Sequence, residues 1–352
     1  MRLFDIPSPL HYSDGLRPIN LGPRGSRLTS TDQEHKEQGV TVGTAPGKVI
    51  LFGEHAVVYG RPAIAVPVSQ VQARAEVEDA PAGCGLTIVA PDLGCEFQPY
   101  RLAEAHAGEL ALARTARNTL ERLGYAGEPD LRITISSTVP MGRGLGSGAA
   151  VATALVRALT AHLGGYLTAR DVSDLVYQTE LIHHGTPSGI DNTVIAFGKP
   201  IYFIKGERSE VFWLGRPFWL VIGDTGVPSS TRDVVADVRR HWEADRAAYE
   251  AHFDAIGALV HQARQAMIDG DLPELGRLMD ANQRELRAIG TSSVELERLI
   301  GAALDAGALG AKLSGSGRGG NMIALVQTAT RQAVRSALVA AGARAVIVTQ
   351  VS

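Results

Sequence analysis

Cysteine is nearly absent from this chain: of 352 residues only Cys84 and Cys95 carry thiols. Two are too few for a disulfide framework or a structural zinc cluster, which needs four suitable ligands close together. Idle thiols are expected instead. No apolar run reaches the roughly 18 residues that span a bilayer, so no membrane partner is expected. The first forty residues carry charges and prolines throughout and lack the apolar core of a secretory signal, which gives a cytoplasmic expectation. A large excess of charge of one sign is missing too. The formal net charge is −3 and no block of Lys and Arg stands out, so the electrostatic footprint of a nucleic-acid binder is lacking. The 45% hydrophobic and 20% charged residues are globular proportions, and the length favours two domains over one core.

Against this plain background one run stands out, Val139 to Ala150, with glycines at 142, 144, 146 and 148. Residues 131–135 ahead of it alternate like a strand, and Ala149 to His162 behind it has the Ala and Leu content of a buried helix. The glycines therefore sit at a helix N-terminus, where backbone N–H groups lack intrahelical partners and the macrodipole is positive. Such a loop is a candidate polyphosphate cradle. It lacks the Gly-Lys-Ser/Thr ending of a Walker loop, and Ser147 stands where a dinucleotide fingerprint would need glycine. That fingerprint's spacing does occur at Gly315, Gly317 and Gly320, but it runs into the strand-like Asn321–Val326 rather than into a helix.

Organisation follows from periodicity. Residues 1–39 are polar and punctuated by Pro and Gly, the pattern of a flexible extension. Residues 40–211 mix strands (40–45, 49–52, 63–68, 73–77, 86–89, 131–135) with helices near 107–123, 149–163 and 169–184, the last opened by a Thr168/Asp171 capping pair. Residues 212–352 run as strand 219–223, helical patterns 231–269, 272–288 and 293–306, strands 308–314 and 321–326, helix 329–341 and strand 344–350. The order predicts an α+β protein of two domains, the second with antiparallel strands on a helical layer.

Two more segments bear on chemistry. Lys48 and the pair Glu54-His55 bracket a short apolar strand; taken singly, Lys48 reads as a solvated strand end and His55 as a histidine satisfied near a turn. Glu180 lies near the end of a helix and Asp191 follows a Pro/Gly turn, so two carboxylates of different environment can converge on one cleft. His183 and His184 are adjacent on a helix and point about 100° apart, which suits packing or capping rather than a shared transition metal.

Taken in order, these segments resemble the GHMP kinases, and among them the mevalonate kinase family, over roughly residues 40–350. The loop Pro140-Met-Gly142-Arg143-Gly144-Leu145-Gly146-Ser147-Gly148-Ala149 resembles the family's nucleotide loop, Ala45-Pro-Gly-Lys48 with Gly53-Glu-His-Ala-Val-Val58 its first motif, and Lys312 to Gly320 its glycine-rich third. His184-Gly-Thr-Pro-Ser188-Gly-Ile-Asp191 and Gly223-Asp-Thr-Gly-Val-Pro-Ser-Ser-Thr231 are similar to further family segments. The resemblance implies a ribosomal-protein-S5-like N-terminal ATP-binding domain (40–211), a ferredoxin-like C-terminal domain (212–352), and phosphorylation of the 5-hydroxyl of mevalonate by ATP with Mg²⁺. It implies Asp191 and Lys48 as catalytic residues, Glu180 and Ser147 as Mg²⁺ ligands, and Glu54, His55, Ser188, Thr231 and Gly315 beside the substrate. It also admits a homodimer. One departure stands out: Gly148 occupies the position of a second loop serine in most relatives, and Arg143 that of a small residue. A kinase of phosphomevalonate, a sugar or a polyol, a ligand sensor without turnover, and a nicotinamide-dependent oxidoreductase resting on the Gly315 spacing stay open as alternatives.

Overall fold

In the first half of the chain, long strands alternate buried and exposed positions, and small residues let a helix lie close upon them. The computed structural model describes residues 36–37, 39–102, 106–184 and 188–352; the extension expected over 1–39 therefore falls almost wholly outside the described residues. β1 (Lys36–Glu37), β2 (Val40–Phe52), β3 (Ala63–Asp79), β4 (Leu86–Ala90), β5 (Cys95–Phe97), β6 (Leu131–Ser137), β7 (Ile201–Phe203) and β8 (Glu210–Val211) form one sheet, ordered β1-β2-β3-β6-β4-β5 with β7 on β3 and β8 on β7. Its pairs are antiparallel except β4 with β6, which are parallel. The crossover between those two contains α1 (Ala107–Arg122). Val71, Ala73, Ala75 and Val77 of β3 and Leu131, Ile133 and Ile135 of β6 are buried, the period of two that a sheet with one covered face requires.

That cover is α2 (Ser147–His162), packed on β2 and β3, with α1 and α3 (Ala169–His184) behind it and α4 (Ile190–Phe197) against α2 and α3. α2 lies close because Gly43 of β2 faces it without a side chain: a Cβ there would meet Ala154 O and Ala158 N at 2.4 Å. The capping pair forms, Asp171 N donating to Thr168 Oγ1 at 3.2 Å and Thr168 N to Asp171 Oδ2 at 3.0 Å.

The second half is built on β9 (Phe218–Asp224), β10 (Gly310–Ser314), β11 (Asn321–Val326) and β12 (Ala345–Val351), all antiparallel in the order β10-β11-β9-β12. α5 (Thr231–Ala244), α6 (Arg246–Asp269), α7 (Leu272–Ala288) and α8 (Val294–Asp305) lie between β9 and β10, and α9 (Arg331–Ala340) between β11 and β12. Strand, helices, two strands, helix, strand, with the first strand between the third and the last, is the ferredoxin-like arrangement. The two halves meet along β2 and β3, which touch α6, α7, β10 and β12. Tyr59 stacks on Phe253 of α6 at 4.2 Å, and Arg61 donates to Asp254 Oδ1 at 3.0 Å.

Where the fold departs from the periodicity, local geometry gives the reason. The strands expected at 40–45 and 49–52 are one strand, and so are 63–68 and 73–77: register slips from Pro46↔Gln72 to Gly47↔Val68, so Ser69–Val71 bulge while pairing continues. The long helical pattern 231–269 breaks at Asp245, whose φ of −140° leaves the helix and whose carboxylate accepts from Ala248 N at 3.1 Å to start α6. α4, β7 and β8 were not expected; each is short, and α4 opens from a glycine, Gly189, without a side-chain cap. Both cysteines are free.

Gly43→Ala should destabilise the protein by about 2 kcal/mol or more, because the contacts at 2.4 Å are backbone atoms that cannot step aside. Urea unfolding measures this; a midpoint unchanged from the parent protein would show that α2 can lift off β2 freely.

Candidate active site

The centre of the site is Lys48. β2 resumes pairing at Gly47, opposite the Ser69–Val71 bulge of β3, just ahead of it, and the side chain, 6% exposed, ends with Nζ 2.8 Å from Asp191 Oδ1. Asp191 lies in the first turn of α4, behind the left-handed Gly189 at φ 91°. That helix is pinned by its neighbours: Thr193 Oγ1 donates to Gly189 O at 2.6 Å, Asn192 Nδ2 donates to Ser173 Oγ of α3 at 2.9 Å, and Arg157 of α2 donates to Ala196 O at 3.0 Å. Arg157 also donates to Thr44 O of β2 at 2.6 Å. One half-buried guanidinium thus fixes the end of α4 to the strand that carries Lys48.

The glycine loop closes over the same lysine. Lys48 N donates to Leu145 O at 2.9 Å, and Leu145 itself is buried. Gly146 caps α2 with φ 75°, and a Cβ there would meet Lys48 Cγ at 3.0 Å and Ile195 Cδ1 at 2.8 Å. Only glycine combines that backbone conformation with that approach. No side chain caps α2, so its first N–H groups are available to an anion. Gly142, Gly144 and Gly148 are exposed and Pro140, Arg143 and Ser147 half-buried, while Ala149 is buried beneath the helix start.

Glu180, near the end of α3, is 4% exposed and interacts electrostatically with both Asp191 and Lys48. Burial first and the Asp191 charge second push its pKa up to about 7, while Lys48 pulls it down. Two carboxylates and one ammonium thus share one poorly solvated corner. The side chains of His183 and His184 and residues 185–187 lie outside the described residues, so the capping or packing expected of those histidines falls there too. Among the described residues no group of three or more His, Cys, Asp and Glu could hold a metal ion.

The comparisons with known proteins bear on the whole of this arrangement. The model described as GHMP kinases N terminal domain matches residues 111–199, and that described as GHMP kinases C terminal matches residues 263–344. The mevalonate kinase of Pyrococcus abyssi is 34% identical over 325 residues, covering 86% of this chain and 93% of its own. The chain belongs to the GHMP kinase family. Among solved structures, L. major mevalonate kinase in complex with R-mevalonate is 31% identical with a TM-score of 0.76, covering 90% of this chain and 96% of its own. Mevalonate kinase from methicillin-resistant Staphylococcus aureus MRSA252 is also 31% identical, with a TM-score of 0.65 over 88% of this chain and 98% of that one. The chain is therefore a kinase that transfers a phosphoryl group to an alcohol. Among the described residues no helix is long and apolar enough to cross a membrane.

The other candidate site residues of this GHMP kinase lie where its two sheets meet. Glu54 and Lys312 of β10 are both buried and form an ion pair across that boundary, and Lys312 Nζ also donates to Leu313 O at 2.6 Å. Burial pushes the Glu54 carboxyl up and the Lys312 ammonium down, and each partner's charge opposes the other's shift. His55 takes a left-handed φ of 61° and donates from Nε2 to Ser316 O at 2.9 Å. Ser316 sits in the glycine-rich turn with Gly315; its Oγ accepts from Thr231 Oγ1 at 3.3 Å, and Ser229 Oγ donates to Gly317 O at 2.5 Å. Ser188 Oγ accepts from Ile190 N at 3.4 Å at the start of α4. Lys48, Asp191, Glu180 and the loop thus share one corner, while Glu54, His55, Thr231 and Gly315 line the seam beside it.

No local pattern in the sequence assigns a role to Lys312, Arg157, Asp224 or Asn321. Lys312 did carry a signal, a lone charge inside the apolar strand Ala311–Leu313, which demands a buried partner. The partners of the other three come from elements distant in sequence, and no local pattern announces them.

Burial, opposed by the Ser316 carbonyl and reinforced by Arg318, lowers the His55 pKa from 6.5 to about 4. The folded state then binds fewer protons than the unfolded state between those values. Its contribution is complete above pH 6.5 and is lost as pH falls toward 4, by about 3 kcal/mol in all. His55→Asn keeps tolerance of positive φ and cannot titrate, so its stability should fall less steeply over pH 6.5–4. Parallel profiles in denaturant titrations would show that His55 protonates freely in the folded protein.

Proposed function

We propose that this GHMP kinase is a mevalonate kinase, moving the γ-phosphoryl group of ATP to the 5-hydroxyl of mevalonate. The observation that carries the reading is the ion pair of the buried Lys48 with the half-buried Asp191 at 2.8 Å beneath an uncapped helix start. It belongs to a chain 34% identical to a mevalonate kinase that it covers almost fully. Phosphoryl transfer gains chiefly from positioning and charge neutralisation, and a carboxylate, an ammonium and a row of backbone N–H groups provide both.

In this reading the triphosphate lies along the loop 140–149, held by N–H groups of the loop and of the first turn of α2. The substrate hydroxyl lies against Asp191. As its oxygen bonds to the γ-phosphorus, the bond from that phosphorus to the β,γ-bridging oxygen breaks, ADP leaves, and the hydroxyl proton passes to Asp191. An alcohol is too weak an acid to be ionised by a carboxylate beforehand, so the proton moves late. Lys48 orients the carboxylate and offsets negative charge on the oxygen under attack.

The residues fit a magnesium ion bound chiefly through the nucleotide. Mg²⁺ accepts one or two carboxylates plus phosphate oxygens; Glu180 is a buried carboxylate beside Asp191, and the Ser147 hydroxyl stands at the first position of α2. When bound, the ion supplies charge neutralisation on the β- and γ-phosphates. Gly148 offers no hydroxyl, so Ser147 and Glu180 are the protein ligands of this reading. Glu54, His55, Ser188, Thr231 and Gly315 form the substrate wall, with Glu54 held in place by Lys312. In this reading the domain boundary falls between residues 211 and 212, which the end of the first sheet at β8 supports.

ADP release coupled to a spectrophotometric readout should depend on mevalonate, and a folded protein that turns over no mevalonate overturns the reading. Asp191→Asn should lower kcat by several orders of magnitude while ATP affinity stays within a few fold. Loss of ATP affinity instead would assign Asp191 to the nucleotide. Glu180→Gln should raise the Mg²⁺ concentration for half-maximal activity at least tenfold; an unchanged Mg²⁺ dependence would remove it from the metal site.

A further inference from the structure

The glycine loop is gripped from the other half of the molecule. Arg143, at its tip, is flanked by the exposed Gly142 and Gly144, yet its own side chain is only 18% exposed and extends to Asp224 at the end of β9, itself 13% exposed. Nε lies 3.5 Å from Oδ2 and Nη1 lies 3.5 Å from Oδ1. At that distance the pair is an electrostatic contact rather than a tight fork, and the guanidinium keeps donors for another anion. The carboxylate is fixed on its own side, accepting from Gly226 N at 2.8 Å. The loop's backbone is held as well. Asn321, the cross-strand partner of Asp224, donates from Nδ2 to Arg143 O at 2.5 Å. One strand-end pair of the C-terminal sheet therefore holds both the carbonyl and the guanidinium of a residue in the phosphate loop of the N-terminal domain.

We propose that Asp224 and Asn321 are positioning residues that deliver Arg143 to the nucleotide phosphates, so that contact between the two domains sets nucleotide affinity. This rests on the loop's assignment as the triphosphate site. Arg143 bridges two anions, the fixed Asp224 carboxylate and the incoming phosphate, and a planar guanidinium suits that double duty where a lysine does not. Asp224 keeps the side chain folded over the loop before nucleotide arrives, which removes part of the entropy cost of binding. Asn321 sets the height of the loop backbone, and with it the direction in which the Arg143 side chain leaves.

Calorimetric titration of the full-length protein with a non-hydrolysable ATP analogue and Mg²⁺ reads this directly, alongside the Michaelis constants for ATP and mevalonate. Arg143→Ala should weaken the analogue about tenfold or more. Asp224→Asn and Asn321→Ala should each raise the ATP constant several fold, with the mevalonate constant within twofold and the melting temperature close to that of the parent. Arg143→Lys should rescue little. The double variant Arg143→Ala with Asp224→Asn should bind no worse than Arg143→Ala alone, because Asp224 acts through Arg143. Additive losses, equal effects on both substrates, or unchanged analogue affinity in Asp224→Asn would overturn the proposal. Calorimetry keeps this outcome separate from the substrate question: a protein inactive on mevalonate still reports whether the analogue needs Arg143 and Asp224.

Discussion

Everything in the site depends on keeping the Lys48 ammonium buried beside a carboxylate. A charge withdrawn from water this far is costly unless a partner and hydrogen bonds replace the solvent, and Asp191 is that partner at 2.8 Å. Bringing the two together sets demands on four elements at once. β3 must bulge at Ser69–Val71 opposite Gly47, α4 must start at a left-handed glycine, α2 must begin without a side chain at Gly146, and Arg157 must tie the end of α4 to β2. Each is a small local cost, and all are concentrated around one ammonium. That concentration is what a site built for charge neutralisation requires.

A wholly buried pair, Glu54 with Lys312, does for the boundary between the domains what Lys48 and Asp191 do for the site. Such a pair contributes little stability compared with well-packed apolar side chains, whereas loss of one member leaves an uncompensated charge. It fixes relative position. His55 on Ser316, Arg143 on Asp224 and Arg61 on Asp254 add contacts along the same seam. The glycine loop, the Lys48–Asp191 pair and the glycine-rich turn thus lie along one seam, although they come from segments up to about 270 residues apart.

Much of the fold is legible in the sequence because burial writes a period into it. The alternation in residues 73–77 and 131–135 and the Ala-rich 149–162 match parts of β3, β6 and α2, and the order of elements after residue 212 matches the four-stranded sheet. What was misread is where chain geometry overrides pattern. Ala45-Pro-Gly-Lys48 and Ser69–Val71 look like breaks, yet sheet pairing on both sides carries the strands through as a bulge. Helical periodicity runs across Asp245, and the cap that interrupts it is one side chain's hydrogen bond. α4 is eight residues long, too short for a periodic signal.

The site divides in the same way. Sequence by itself determined the chemistry available: a glycine loop before a helix, a lysine on a strand, two carboxylates near a Pro/Gly turn, and the motif order that marks a GHMP kinase. These are legible because each depends on residue type and near neighbours. Tertiary structure alone decided which groups share a corner and which are occupied elsewhere. Lys48 meets Asp191, Glu180 is pushed toward neutrality beside them, Glu54 is engaged by Lys312, and Arg143 reaches across to Asp224. A charge inside a strand announces that it needs a partner. Which partner it finds depends on how two sheets pack, and that is fixed by the sum of many weak contacts rather than by any motif.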